Sequence, residues 1–481
     1  MRQAMTTTAM ALMLAGSGTA IARAQGQPAD ILPHSAATPA ASSSQPAASP
    51  TSPAVPSAAS QPAAPTIAAQ PVVTPEPVRE PVMAWSLGDA QALLSFIGQI
   101  EGEGLIPTDY RPDELRAAIA GGPGPALDEA ASKSFAWLAE DLRDGRTPVE
   151  ARVQWFAVDP DQDTTPTEML MRTALESHDI AGVLNGLAPT YPDYQALKAA
   201  LATTPASDRA TRALIRANMD RWRWLKRDLG VLYLLTNVPE FQLRLATNKR
   251  IVRTYRTVVG KPGRTATPQL AETVQNVVFN PTWTVPQSIV VGEGLGARLL
   301  GNPASAARQG YKVSRAANGM VTVVQQPGDS NALGRMKIDM PNPHAIYLHD
   351  TPSKSFFSHP VRAYSHGCIR TERAIELGMT MAIMGAGKTP EEVTQYWQSG
   401  KYTKVAMTQT FPVYITYQTM GRDITGEMRK FADIYGRDAP VVASFAKPGR
   451  TAAVVISPAP PTVVPTIPAP NVTTQATTGI Y

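Results

Sequence analysis

The sequence predicts an α+β multidomain chain: a helical domain, then a mainly β domain, between Pro-rich disordered ends. Three observations carry this. Apolar residues recur at helix spacing from about residue 83 to 228. After Gly230 the period changes to strand alternation. Proline crowds the ends, with 13 of the 44 prolines in residues 25–82 and eight in 440–481. Proline makes up about 9% of the 481 residues, against an average near 5%. The 43% hydrophobic and 17% charged content is ordinary globular material. A collagen-like or wholly disordered chain is therefore excluded, and the length leaves room for two or three domains.

Residues 1–24 open with Arg2, carry the apolar stretch Ala9 to Ala15, and end on Ala22-Arg23-Ala24. A charged start, a short apolar core and a small-x-small site read as a secretory signal peptide, which predicts a periplasmic protein. Losing Arg2 and Arg23 takes the net charge from +5 to +3, mild enough to select no particular partner. Residues 25–82 are an Ala/Pro/Ser-rich linker with too little apolar surface to order itself, and residues 441–481 repeat the theme as a Pro-rich tail. No apolar run reaches the roughly 20 residues of a membrane span.

The helical domain covers 83–228. Ala90, Leu93, Leu94, Ile97 and Ile100 follow the cap candidate Ser86 at helix spacing, and segments 127–143, 166–177, 193–202 and 209–227 read the same way. The β-rich domain covers 229–440, with strands expected at 231–236, 241–245, 251–259, 274–279, 311–314, 320–324, 345–349, 404–408 and 412–417. Helices return at 372–384 and 390–398. Arg216, Arg221, Arg223, Lys226 and Arg227 interleave with Trp222 and Trp224 like a nucleic-acid patch. Export argues for a helix packing its tryptophans on the next domain instead, so no nucleic-acid partner is expected.

Chemistry concentrates in one place. Four of the six histidines (His344, His349, His359, His366) lie close to the single cysteine, Cys368. One cysteine allows no intramolecular disulfide and no multi-thiolate metal site. A lone cysteine is often a buried, inert thiol. Here it follows Gly367 and precedes the helical stretch from Glu372, beside Arg370 and histidines. That setting predicts a lowered thiol pKa and a nucleophile, with a histidine in reach to take and return the proton. Backbone N–H groups at Gly367 and Cys368 could hold an oxyanion.

Ser365-His366-Gly367-Cys368-Ile369-Arg370, with Leu348-His349-Asp350-Thr351-Pro352 upstream, resembles the signature of the YkuD-type L,D-transpeptidases, which cross-link peptidoglycan through a cysteine. The resemblance extends to the YcbB-like branch through Asn218 to Leu225, Val258 to Arg264, Asn280 to Pro286, Asn331-Ala332-Leu333-Gly334-Arg335 and, more weakly, Asp141 to Arg146. It implies a helical scaffold domain followed by the catalytic domain, with a capping insertion at about 287–330. It implies Cys368 as nucleophile, His349 as base oriented by the carbonyl of Asp350, and an oxyanion hole from the Gly367 and Cys368 backbone with Tyr347. Ser365, His366 and Arg370 would shape the pocket, Arg370 as partner for a substrate carboxylate. Trp283 is either core or a wall of the acceptor groove. The implied partners are donor and acceptor stem peptides, with no cofactor and no metal. The usual family product is a 3→3 link, with 1→3 and other links open. The peptidoglycan-binding module usual in that branch has no room between Pro205 and Ile215.

Three other readings are weighed. Zinc would accept His and Cys ligands, but His344 and His349, five apart on one strand, face opposite sides. A carboxypeptidase or amidase would use the same Cys–His parts with water as acceptor. A non-catalytic envelope-binding protein would not need the thiol.

Overall fold

The structure is a computed structural model that describes residues 81–157 and 165–447, all within the compact unit Thr74–Tyr481. The signal peptide, nearly all of the linker and most of the tail read from the sequence lie outside the described residues. None of the described helices is long and apolar enough to cross a membrane.

Seven helices come first: α1 (Leu87–Gln99), α2 (Pro112–Gly121), α3 (Pro125–Asp144), α4 (Thr167–Ser177), α5 (Ile180–Asn185), α6 (Pro192–Thr203) and α7 (Arg209–Arg223). The Ser86 hydroxyl caps α1 by accepting from the Asp89 N–H. Ala90, Leu93, Ile97 and Ile100 are all buried, and they meet Leu127, Phe135, Leu138 and Leu142 of α3 in one core. Only residues 204–208 separate α6 from α7, so no module is inserted there.

Helix α7 joins the two domains. Trp222 packs with Tyr233, Leu235 and Tyr414 of the following sheet. Arg221 and Arg223 are fully buried, with Arg221 donating to Asp438 at 2.7 Å and to the Arg437 carbonyl at 2.9 Å. The run that mimics a nucleic-acid patch is thus in large part a packing and ion-pairing face. The Asp141 to Arg146 motif serves the same joint. Gly145 turns at φ 88°, where a Cβ would strike Trp224, and Asp220 accepts from the N–H groups of Arg146 and Thr147. The Arg146 guanidinium pairs with Asp109 and donates to the Ser444 carbonyl at 2.6 Å.

The β-rich part begins with β1 (Leu232–Asn237), β2 (Gln242–Thr247), β3 (Arg250–Gly260), β4 (Leu270–Thr273) and β5 (Asn276–Phe279). The insertion follows as β6 (Trp283–Thr284), α8 (Gln287–Val290), α9 (Leu295–Gly301), α10 (Pro303–Arg308), β7 (Tyr311–Arg315) and β8 (Val321–Gln325). The chain then returns through β9 (Met336–Asp339), β10 (Leu348–His349), β11 (Ala363–Ser365) and β12 (Ile369–Thr371). It finishes with α11 (Ala374–Ala386), α12 (Pro390–Gln398), β13 (Thr403–Ala406), β14 (Pro412–Thr416), β15 (Met420–Arg422), β16 (Met428–Lys430) and α13 (Asp438–Phe445).

The main sheet runs β13-β5-β9-β10-β12-β3-β2-β1-β14-β4, with β11 added on β3. Val259, Val277, Ile338, Leu348 and Ile369 line its core against Leu377 and Met381 of α11. Met384 is 37% exposed on the outer face of α11. The insertion has its own sheet, β6-β8-β7, and its own small core of Val285, Val290, Leu295, Leu299, Tyr311 and Val323. Buried Asn331 ties its base, donating to the carbonyls of Pro281 and Gln326 at 3.0 and 2.9 Å. Helix α13 extends order past residue 440, where the sequence suggested a tail. Val441 packs on Ala217 and Trp224, and that burial holds the segment in place.

Candidate active site

Strand register sets the site. Strands β10 and β12 pair in parallel, with Leu348 opposite Ile369 and His349 opposite Arg370; on the other side of β10, Lys337 of β9 faces His349. Leu348 and Ile369 point into the core. Strand alternation then turns His349, Arg370 and Lys337 to the opposite face, together with Tyr347 and Cys368 one step before the paired segments.

The turn carrying the thiol is pinned from below. The Ser365 hydroxyl donates to the Cys368 carbonyl at 2.6 Å and accepts from the Gly367 N–H at 3.1 Å. Gly367 sits at φ 118°, a conformation that disfavours any side chain. Its carbonyl accepts from the Thr267 hydroxyl at 2.8 Å, and that hydroxyl accepts from the Gly260 N–H at 2.9 Å. The Gly367 N–H is therefore engaged with the Ser365 hydroxyl in the resting site. Among the described residues the Cys368 N–H donates to no main-chain carbonyl.

His349 is buried, and its Nδ1 lies 2.5 Å from the Asp350 carbonyl. A carbonyl can only accept, so Nδ1 carries the proton and Nε2 keeps its lone pair. Burial, then the charge of Arg370, pushes the imidazole pKa down to about 3, so the ring is neutral at pH 7. The Asp350 carboxylate faces away from the ring. It accepts from the Arg335 N–H at 2.9 Å and pairs with Lys354. Gly334, at φ 59°, leaves it room: a Cβ there would come within 2.3 Å of the carboxylate.

Cys368 is half-buried, with its Sγ 3.6 Å from the Ala345 carbonyl. Burial pushes the thiol up to about 11, although the backbone N–H and phenol of Tyr347, with Lys337 and Arg370, favour the thiolate. The lowered pKa expected from the sequence is overturned. Helix α11 begins only at Ala374, and Cys368 precedes a strand, so no helix N-terminus faces the sulfur. The resting pair is thus a neutral thiol and a neutral imidazole.

The insertion reaches this face twice. Glu293, between α8 and α9, lies 2.8 Å from Nε2 of His366. Trp283 of β6 faces the Tyr347 phenol. Arg370 lies 5.6 Å from the Phe356 ring. His344 is elsewhere, its ring 4.2 Å from that of Phe156. His359 is half-buried: Tyr364 stacks on Phe356, and the Tyr364 hydroxyl lies 2.9 Å from His359 Nδ1. The sequence reading missed Lys337, Glu293 and Thr267. Thr267 lies about 100 residues from its partner at Gly367, so no local signal marks it. Lys337-Ile338-Asp339 does alternate in polarity, and treating it as a strand would have placed Lys337 beside His349.

The family model of the YkuD L,D-transpeptidase catalytic domain matches residues 232–385, and that of the Scaffold domain matches residues 79–201. A Haemophilus influenzae protein with the provisional name L,D-transpeptidase is 29% identical over 221 residues, which are 43% of this chain. The match spans 44% of that relative's length. Among solved structures, an L,D-transpeptidase from Mycobacterium smegmatis aligns at 15% identity over 39% of this chain and 58% of its own, with a TM-score of 0.19. One from Stackebrandtia nassauensis aligns at 10% identity over 47% and 77%, with a TM-score of 0.18. With the Cys–His face lying inside the matched segment, residues 232–385 place this chain among the proteins with a YkuD-type L,D-transpeptidase catalytic domain, behind a scaffold domain.

Proposed function

We propose that this protein cross-links peptidoglycan stem peptides through a thioester on Cys368, in the periplasm after loss of residues 1–24. One observation carries the reading: a neutral imidazole, its Nδ1–H given to a main-chain carbonyl, shares one sheet face with a half-buried thiol.

His349 Nε2 takes the thiol proton as Sγ bonds the donor carbonyl carbon. The Cys368 N–H and Tyr347 stabilise the oxyanion. Collapse breaks the peptide C–N bond, and the imidazolium gives its proton to the departing amine, leaving the thioester. The acceptor amine then loses a proton to His349 and bonds the acyl carbon, and the departing thiolate takes that proton back. Arg370 holds a substrate carboxylate, Ser365 fixes the turn, and His366 and Trp283 border the pocket beneath the insertion. The product is a 3→3 link.

The test is mass spectrometry of muropeptides from cells expressing the wild-type chain or Cys368→Ala. Cross-linked dimers formed only with the intact thiol are expected, and their fragmentation identifies the residues joined. Trimmed monomers without dimers would replace transfer by hydrolysis. Identical profiles would remove wall chemistry from the cysteine altogether.

A further inference from the structure

We propose that Lys337 is a positioning residue for the reaction: its ammonium, held by Asp339 against the Tyr347 ring, polarises the phenol toward the Cys368 sulfur and stabilises the anion that forms there. The inference rests on the thioester reading above and adds a residue to it.

The geometry is specific. Lys337 Nζ lies 4.4 Å from the Tyr347 ring centroid and 3.0 Å from an Asp339 carboxylate oxygen. Its strand places it opposite His349, on the face that carries the sulfur. A cation on an aromatic face is drawn to the ring quadrupole. It also withdraws electron density from the phenol, and the O–H becomes a stronger donor to a developing negative charge. The Tyr347 main chain and phenol both favour the thiolate form of Cys368. The other charged or titratable groups around the sulfur are His349 and Arg370, with His366 and Glu293 at the rim. His349 is neutral at pH 7, so it contributes no charge until it takes the proton.

A lysine so placed has two plausible jobs, and the experiment separates them. It could act on the sulfur, or it could bind a substrate carboxylate. Iodoacetamide is neutral and has no carboxylate, so its reaction with Cys368 reports only on the sulfur. The probe also needs no peptidoglycan, so it stands even if the cross-linking reading fails.

Alkylation rates are measured against pH for wild type, Lys337→Met, Lys337→Arg, Tyr347→Phe and the Lys337→Met/Tyr347→Phe double variant, with Cys368→Ala as the blank. Lys337→Met should displace the profile to higher pH and slow the reaction about three- to tenfold at pH 8. Lys337→Arg, which keeps the charge, should restore most of the rate. In the Tyr347→Phe background, Lys337→Met should slow the reaction less than it does in wild type, because the direct charge of the lysine on the sulfur remains and only its effect through the phenol is gone. Coincident profiles for Lys337→Met and wild type would overturn the inference, and so would a full lysine effect in the Tyr347→Phe background. Circular dichroism and thermal melting confirm that each variant is folded. A general loss of structure in Lys337→Met would not be rescued by neutralising its partner, so Asp339→Asn serves as a second probe. Releasing the ammonium from its tether should lower the alkylation rate in the same direction, and an unchanged rate would count against the tether.

Discussion

Gly334→Ala should cripple the site from a position that touches neither reacting group. Gly334 turns at φ 59°, and an added Cβ would lie 2.3 Å from the Asp350 Oδ2 and 2.6 Å from its Cβ. The left-handed backbone alone costs an alanine about 1 kcal/mol. Relieving the overlap means moving a buried carboxylate off the Arg335 N–H, a charge-assisted bond worth roughly 1.5–3 kcal/mol. The same residue's carbonyl orients His349, so a shift there misaligns the base, and a displacement of about 1 Å is enough to cost on the order of 100-fold in rate. Acylation of Cys368 by a carbapenem, followed by intact-mass spectrometry, should therefore slow about 10- to 100-fold in Gly334→Ala. Gly387→Ala is the control. Gly387 also has a positive φ, 63°, but a Cβ there meets nothing within 4 Å. It should bear the backbone cost and keep the wild-type rate. Equal rates for Gly334→Ala and wild type, or equal slowing in both variants, would refute the chain of contact from Gly334 through Asp350 to His349.

Two further predictions concern pH. With its thiol pushed up to about 11, Cys368 is only about 0.1% thiolate at pH 8; its alkylation rate should climb about tenfold per pH unit between 7 and 10. A plateau already reached at pH 7 would mean a resting thiolate–imidazolium pair and would sink the neutral-pair description. The second follows from His349, whose pKa falls from the ordinary 6.5 to about 3 on folding. Because the folded value is depressed, the neutral ring's stabilisation is complete above about pH 6.5 and is lost as pH falls toward 3. The loss is ~1.4 kcal/mol per pH unit, about 3 kcal/mol by pH 4. Denaturation of His349→Gln between pH 7.5 and 4 should lack that component; matching slopes for variant and wild type would exclude it.

Much of the fold was legible because it rests on local periodicity. Helix α12 matches the expected span 390–398, and it does so because Thr389 and Glu392 form a complete capping box on either side of Pro390. The core face of α1 was readable from the spacing of Leu93 and Ile97 alone. The insertion was less so: α8, α9 and α10 have 4, 7 and 6 residues, too few for a helical period to emerge. Helix α13 was lost in the proline bias of the tail, although Val441 finds a pocket on α7. In the site, Cys368 and His349 stood out by residue type and spacing. The state of the thiol did not, since its pKa depends on burial and on where α11 starts. Nor could the sequence show that Ser365 takes the Gly367 N–H, a matter of turn geometry rather than composition.

A neutral resting pair changes where the site must do its work. A preformed thiolate would meet the substrate as a charged group already solvated by Arg370 and Lys337, and part of their effect would be used before the reaction began. Here both cations face a neutral thiol and a neutral imidazole, and in the proposed reaction their influence would be felt only as the sulfur loses its proton and charge moves onto the acyl oxygen. Interactions that strengthen only toward the transition state lower the barrier without deepening the ground state. Burial makes that difference larger, because the same charges act in a medium less polarisable than water. The insertion follows the same logic. Through Trp283 at Tyr347 and Glu293 at His366 it touches the rim of this face, where excluding water would strengthen Tyr347 as a donor and protect a thioester from hydrolysis. On the proposed reading, a preference for an amine over water as acceptor would come from the cover over the site, and the Cys–His chemistry beneath it would be the same for both.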